Sequence, residues 1–134
     1  MMIMRTTLLA TASLVFATAN ALAADLAGPE IIKLISGNTL YIDYAADNRS
    51  GAPGQGANYY TADGKVAIKF PDGKVQKGTW TLKDNSTCIV WEGLPVPPCT
   101  KYDKAGDKIT LINLGTGKPR GTVSKVVAGN PEKL

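Results

Sequence analysis

The chain of 134 residues contains no histidine. This absence removes the commonest general base and the commonest metal ligand of enzymes. A pair of carboxylates could still hydrolyse a glycoside, and Asp43 with Glu92 is the pairing we consider, since both residues fall within predicted strands. Acidic residues at such positions are more often ordinary outward-facing strand residues. We therefore expect no catalytic residues and no enzyme activity.

The usual signatures of cofactor binding are also missing. Asp47, Asn48 and Ser50 do not follow the twelve-residue calcium loop and lack its closing glutamate. The glycine-rich stretch 51–56 has no Gly-Lys-Ser/Thr ending, which a phosphate-binding loop requires. We predict neither a metal nor any other cofactor.

The longest apolar segment lies near the N-terminus, where residues 8–19 are apolar except for threonine and serine. Arg5 supplies a positive charge before the segment, and Ala21-Leu22-Ala23 supplies small residues at a cleavage position after it. The segment is shorter than the roughly 20 residues that span a bilayer. We predict a signal peptide over 1–23, followed by one periplasmic or secreted domain over 24–134, with no membrane insertion.

Positive charge is not concentrated in any part of the chain. Removing the predicted signal peptide removes Arg5, so fourteen basic and eleven acidic residues remain and the formal net charge is +3. The lysines are dispersed, with acidic residues between many of them, which is typical of a solvated strand face. This pattern predicts no nucleic-acid partner, and it leaves open a weak preference for anionic partners.

The two cysteines, Cys88 and Cys99, are close in sequence. They cannot complete a zinc site without histidine or further cysteines, and a catalytic thiolate would have no histidine beside it as a base. An even pair in an exported chain is typical of a disulfide. We predict a Cys88–Cys99 disulfide.

One short helix is predicted over residues 29–36. Pro29 suits the first turn of a helix, Glu30 favours the positive end of the helix dipole, and Gly37 suits a left-handed cap. Ile31 and Leu34 fall on one face, together with Ile35. This face predicts that the helix lies against the domain and closes one end of it.

From residue 39 onward the hydrophobic pattern has period two and is interrupted by turns such as Pro71-Asp72-Gly73. The clearest alternation places Val66, Ile68 and Phe70 on one face and Lys65, Ala67 and Lys69 on the other. This predicts an all-β, antiparallel meander of about eight strands that closes as a small barrel, with a two-sheet β-sandwich as the alternative. The predicted strands are 39–44, 57–62, 65–70, 74–83, 88–92, 99–103, 108–113 and 120–127.

A polar, glycine-rich segment over 46–56 predicts a flexible loop at the rim of the barrel. Tyr59 and Tyr60 are adjacent and must point to opposite faces of a strand, so one of them lies at the surface or beside this loop. Trp80 and Trp91 are expected to pack inside. If the barrel holds a ligand, these four aromatic residues are the candidate binding residues.

Several short motifs carry a resemblance to a known family. Gly78-Thr79-Trp80, Cys88-Ile89-Val90-Trp91, Cys99 and the closing Gly129-Asn130-Pro131 resemble an exported proteobacterial family, the domain-of-unknown-function 995 group. The resemblance covers nearly all of 24–134 and implies an exported β-rich domain, but no activity. Gly78-Thr79-Trp80 is also similar to the Gly-x-Trp motif of lipocalins, which lies in their first strand, whereas Trp80 lies in mid-domain. The likeness to lipocalins and avidins is therefore one of small-barrel appearance.

Three classes of function remain at this point. A non-catalytic binding or envelope accessory protein fits best, with a small ligand or an envelope protein as its partner. An interaction protein that inhibits a hydrolase such as lysozyme, through the 46–56 loop, is the second possibility, and it rests on analogy with other exported barrels. A carboxylate-dependent enzyme is the third. We expect a monomer or a weak homo-oligomer.

Overall fold

The computed structural model describes residues 13–14 and 23–134. The predicted signal peptide therefore lies, apart from residues 13, 14 and 23, outside the described residues. The elements, in chain order, are β1 (Ala24–Asp25), α1 (Gly28–Ile35), β2 (Asn38–Tyr44), β3 (Gly54–Tyr60), β4 (Lys65–Lys69), β5 (Val75–Lys83), β6 (Ser86–Trp91), β7 (Thr100–Ala105), β8 (Lys108–Asn113) and β9 (Pro119–Ala128).

The eight strands from β2 to β9 form a closed antiparallel barrel. Each strand pairs with the next in sequence, and β9 returns to pair with β2. The predicted meander and its closure as a small barrel are confirmed, so the alternative β-sandwich is wrong. The β6–β7 pairing is short, with Ser86 opposite Lys101 and Thr87 opposite Thr100. Beyond it, the unpredicted strand β1 pairs with the other end of β7, where Asp25 lies opposite Asp103.

The β4 strand shows why the sheet closes. Val66 and Ile68 are buried inside the barrel, and Lys65 and Lys69 are exposed on its outer surface. Each strand has one apolar face that must be removed from water. When the sheet curves and closes, the apolar faces of all strands pack against one another inside the barrel. Ala67, predicted to lie on the wet face, is buried instead. Its small side chain lies between larger residues of the two flanking strands.

The loop predicted over 46–56 is shorter than expected because β3 already begins at Gly54. The prediction that the loop extends to Gly56 is wrong. A Cβ atom at Gly56 would lie 2.6 Å from the Lys69 carbonyl oxygen and 2.7 Å from Cε2 of Tyr44. Gly56 therefore allows the neighbouring groups to approach the strand closely. The glycine-rich sequence of 51–56 looks like that of a flexible loop and does not reveal this role.

The helix α1 begins and ends one residue before the predicted 29–36. The Glu30 carboxylate accepts a hydrogen bond from the Ala27 backbone N–H at 3.2 Å, which closes the first turn. Gly37 follows the helix with a φ angle of +73°, in the left-handed region that was expected. With eight residues, α1 is not long and apolar enough to cross a membrane, and it is the one helix in the part of the chain that the structure describes.

The helix covers one end of the barrel. Ile31 and Ile35 are completely buried in the core. The Gly28 backbone N–H donates a hydrogen bond to Oδ1 of Asn85, in the turn between β5 and β6, at 2.9 Å. A Cβ atom at Gly28 would lie 2.9 Å from Leu82. The interior of the barrel at this end, the closed end, is therefore filled by apolar side chains.

The predicted disulfide between Cys88 and Cys99 is confirmed. Cys88 lies in β6, and Cys99 directly precedes β7. The bond therefore ties the segment between these strands, which includes Pro97 and Pro98, to the side of the barrel where β6 and β7 share few backbone hydrogen bonds.

Candidate functional site

The end of the barrel opposite α1 opens into a cavity of about 90 Å³, which we call the cup. It lies where β2, β4 and β6 end and where β3, β7 and β9 begin. The floor consists of buried polar side chains, the wall is largely aromatic, and the rim carries charged residues. The floor residues are Asn58, Tyr60, Thr87 and Tyr102, the wall residues are Tyr44, Phe70 and Trp91, and the rim residues are Asp47, Arg49, Pro98 and Arg120.

The floor is held by two groups of side-chain hydrogen bonds, one between β2 and β3 and one between β6 and β7. The Tyr44 hydroxyl donates to Oδ1 of Asn58 at 2.6 Å, and Nδ2 of Asn58 donates to the Tyr60 hydroxyl at 3.1 Å. The hydroxyls of Tyr102 and Thr87 are 3.0 Å apart. Because buried polar groups without partners are costly, these bonds explain how an amide that is 1 % exposed is tolerated in the core.

Burial raises the pKa of the Tyr44, Tyr60 and Tyr102 hydroxyls above the ordinary tyrosine value. The hydrogen bonds with Asn58 oppose this rise for Tyr44 and Tyr60, and they do not reverse it. All three phenols therefore stay neutral near pH 7. They offer hydrogen bonds to a ligand, but none of them is a base.

The wall is a run of aromatic rings. The centroids of Tyr44 and Phe70 are 5.9 Å apart, and those of Phe70 and Trp91 are 6.4 Å apart, both with tilted planes. These separations lie in the range in which aromatic pairs stabilise each other. The rings leave an apolar surface facing the opening of the cup.

Arg120 reaches the cup because β9 is irregular at this point. Gly121 lies opposite Leu111 of β8, whereas Pro119 lies opposite Ile112, so Arg120 has no partner residue in β8. Such a bulge redirects the side chain of the extra residue. The side chain extends toward the rim, where Nη2 donates a hydrogen bond to the Pro98 carbonyl oxygen at 2.9 Å.

The rest of the Arg120 guanidinium has few partners. Nε is buried, and it makes no hydrogen bond to any residue in the described parts of the chain. Burial lowers the pKa of Arg120 from its ordinary value, and the negative charge of Asp47 opposes that change. Among residues 13–14 and 23–134, the guanidinium forms no ion pair, since no carboxylate oxygen lies within 4.0 Å of its nitrogen atoms. Arg120 was not among the residues singled out from the sequence, although Pro119 and Gly121 on either side of it, inside a strand pattern, indicate a bulge.

The structure separates the four predicted aromatic candidates. Tyr60 and Trp91 lie together on the cup. Trp80 is buried inside the barrel and does not line the cup. Its ring is nearly perpendicular to that of Tyr60, with the centroids 6.3 Å apart, and its Nε1 donates to the Thr61 carbonyl oxygen at 2.9 Å. Tyr59 is half-buried and lines an open groove that shares no lining residue with the cup.

The two carboxylates considered for hydrolysis do not form a site. Asp43 is exposed on β2, and Glu92 is exposed just after β6. The strands β2 and β6 are not neighbours in the barrel, and neither carboxylate lines the cup.

Comparison with known proteins returns no relative for this chain. No family model matches it, and neither does any curated protein or solved structure. Within the described residues, no three His, Cys, Asp or Glu side chains are grouped as a metal ion would require.

Proposed function

We propose that the chain is an exported, periplasmic binding or envelope accessory protein, without catalytic activity, that holds one end of a small ligand in the cup. The observation that carries this proposal is the combination of a buried, hydrogen-bonded polar floor with an aromatic wall at the open end. Ligand sites have this composition, with an apolar lining and a few polar groups that fix orientation.

The size of the cup limits what it accepts. An eight-stranded barrel is wide enough to be filled by side chains or to hold one small ligand. Here the closed end is filled, and about 90 Å³ remains at the open end. A water molecule occupies about 30 Å³ in the liquid, so the cup has room for a few heavy atoms. The ligand inserts one end, and the rest of it stays outside.

The chemistry of the lining supports binding rather than catalysis. The chain has no histidine, and the pKa values of Tyr44, Tyr60 and Tyr102 are moved further from neutrality. A general base works best with a pKa near the working pH. Asp43 and Glu92 lie away from the cup and are exposed.

The disulfide supports an oxidising compartment for this protein. Disulfides persist in oxidising environments such as the periplasm, and the Cys88–Cys99 bond is compatible with one. The predicted signal peptide and the resemblance to the domain-of-unknown-function 995 group support the same location. The modest net charge supports the absence of a nucleic-acid partner.

Inhibition of a hydrolase through the rim loop is the second candidate, because the loop is held in shape by its own side chains. Nδ2 of Asn48 donates to the carbonyl oxygens of Ala45 and Ala52, at 2.6 Å and 2.7 Å. Oδ1 of Asn48 accepts from the Ser50 backbone N–H at 2.8 Å. The exposed Arg49 stands on this loop. A preformed loop loses less conformational entropy when it binds a partner.

The two candidates are separated by native mass spectrometry of the protein isolated from its own periplasm. We expect a retained small molecule in the wild type, its loss in Trp91→Leu and its retention in Trp80→Leu. These variants are a matched pair, because both tryptophans are buried but only Trp91 lines the cup. A retained protein instead of a small molecule would favour inhibition, and equal loss in both variants would contradict a ligand in the cup.

A further inference from the structure

We propose that Arg120 makes the cup selective for a carboxylate, so that the ligand is a monocarboxylate with an apolar tail. This inference rests on the proposed function, since it assigns the chemistry of the ligand held there. It begins from a donor that the fold leaves unused. Nε of Arg120 is buried and has no hydrogen-bond partner among the described residues.

A buried N–H without a partner is unfavourable, because the group has lost water without gaining a partner, and in Arg120 this applies to Nε while the residue as a whole is half-buried. If Arg120 served only to hold the rim in place, an apolar side chain at this position would avoid the free-energy cost of the unpaired N–H. An anion inside the cup provides the missing partner. The bulge in β9 directs the side chain there, and the Nη2 bond to the Pro98 carbonyl oxygen holds the guanidinium in place.

The geometry of the guanidinium favours a planar anion. Arginine presents its N–H groups as a rigid fork that matches the two oxygens of a carboxylate. The bond to Pro98 uses only Nη2, so most of the fork has no partner among the described residues, and the Arg120 side chain lines the cup. The neutral hydroxyls of the floor supply further hydrogen-bonding groups within the same cavity.

The charge of the lining favours a single negative charge. Asp47, Arg49 and Arg120 are the charged residues that line the cup, which gives it a formal charge of +1. Asp47 lies too far away to form an ion pair with Arg120 and instead faces Nδ2 of Asn113 at 3.5 Å. A phosphate dianion would need more positive groups than these.

The wall determines the rest of the ligand. A carboxylate that meets the Arg120 side chain at the cup enters the cup first, and the atoms behind it meet the rings of Phe70 and Trp91. These apolar surfaces suit carbon rather than polar substituents. A cavity of about 90 Å³ holds the carboxylate and a short carbon stem, and a longer tail extends past the rim.

The test uses three small ligands, titrated by calorimetry or by amide chemical shifts: butyrate, butyramide and inorganic phosphate. Butyramide has nearly the same shape as butyrate but no charge. We expect butyrate to bind about tenfold or more tightly than butyramide, because a charge-assisted pair in a buried site is replaced by a neutral one. Phosphate is expected to bind more weakly than butyrate.

Variants identify the group responsible. Arg120→Gln should reduce butyrate affinity about tenfold or more and abolish the preference over butyramide, whereas Arg120→Lys should lose part of the affinity because its ammonium cannot form the fork. Lys108→Gln is the matched control, since it removes one positive charge from the closed end of the barrel. It should change the affinity by less than about twofold, as long-range charge effects are screened.

The outcomes separate this inference from the proposed function. If butyramide binds in the cup as tightly as butyrate, or if Arg120→Gln keeps the preference for butyrate, the carboxylate assignment is wrong and the cup remains a binding site. If phosphate binds more tightly than butyrate, the site is one for phosphate groups and the assignment is again wrong. If none of the three ligands shifts the amide signals of cup residues, the carboxylate assignment is wrong, and a ligand retained in native mass spectrometry of the wild type decides the proposed function separately. Urea denaturation of each variant shows whether it is folded during the titration.

Discussion

The two ends of the barrel are built by opposite means. At the closed end, Ile31 and Ile35 of α1 fill the interior with apolar groups that need no particular partner. At the open end, Tyr44, Asn58 and Tyr60 fill the interior with polar groups, each of which requires a hydrogen bond in a defined direction. Burial of apolar area therefore stabilises the domain at the closed end, whereas directional hydrogen bonds define the shape of the cavity at the open end.

The rims also differ in how they are tied. At the closed end, the Gly28 N–H bonds to Asn85, and β1 extends the sheet along β7. At the open end, few backbone bonds join β6 to β7, and the Cys88–Cys99 disulfide holds the connecting segment. Covalent attachment there keeps the Pro98 carbonyl oxygen within reach of Arg120.

The largest effect is expected at the closed end. Ile35→Ala should lower the free energy of unfolding by about 2–5 kcal/mol, because it removes a fully buried side chain and leaves a cavity. Ile32→Ala is the control on the same helix, since Ile32 is 43 % exposed, and it should cost well under half as much. Urea denaturation measures both. Equal losses would mean that α1 does not pack as described.

The disulfide tests the open end. Cys88→Ser with Cys99→Ser should lower the free energy of unfolding by about 3 kcal/mol, because the bond closes a short loop and chiefly restricts the unfolded chain. We expect butyrate affinity to fall as well, since the Pro98 carbonyl oxygen is no longer fixed. The control is wild-type protein denatured with and without reductant, which should reproduce the stability change. Unchanged midpoints in both comparisons would contradict this role.

The polar floor is tested by one hydroxyl. Tyr60→Phe leaves Nδ2 of Asn58 buried without its acceptor and should cost roughly 1–3 kcal/mol. Tyr41→Phe removes an exposed hydroxyl that donates to Glu132 and should cost less than about 0.5 kcal/mol. Thermal denaturation compares the two. Similar losses of stability in both variants would show that the hydrogen bonds of the floor stabilise the fold no more than an exposed hydrogen bond does.

The smallest effect is expected from pH. The arginine stays charged below its pKa, and the floor tyrosines stay neutral below pKa values that burial has raised, so neither changes state between about pH 5.5 and 8. A carboxylate ligand is ionised throughout this range, and the chain has no histidine. Butyrate affinity should therefore be nearly constant, as titrations at several pH values would show. A bell-shaped profile would require a strongly shifted carboxylate and would revive the enzyme hypothesis.

Much of the fold could be predicted because its signals are local. The alternation around Val66 and Ile68 and the turn at Pro71-Asp72-Gly73 are readable within a few residues, and all eight barrel strands were found near their observed bounds. The boundary at Gly54 was missed because glycine in a strand looks like a loop until the close approach of Tyr44 is known. The strand β1 was missed because two residues are too few to show a period.

The candidate site could be predicted only in part. Tyr60 and Trp91 were proposed from residue type, and the structure places both on the cup, while Tyr59 and Trp80 lie elsewhere. Nothing local distinguishes Trp80 from Trp91, since both alternate inward on neighbouring strands. Arg120 looked like one more dispersed cation.

The sequence by itself determined the period-two pattern, the turns, the cysteine pairing and the lack of a histidine base, because each depends on residue identity and short spacing. Only the tertiary structure decided between the predicted barrel and the alternative β-sandwich, and where a cavity remains. Barrel closure joins β2 to β9, and the Thr39 hydroxyl donates to the Gly129 carbonyl oxygen at 2.7 Å. The environment of Arg120 likewise depends on Pro98, in a segment fixed by a disulfide. Contacts between distant residues set burial and hydrogen bonding, and these determine which side chains are free to bind.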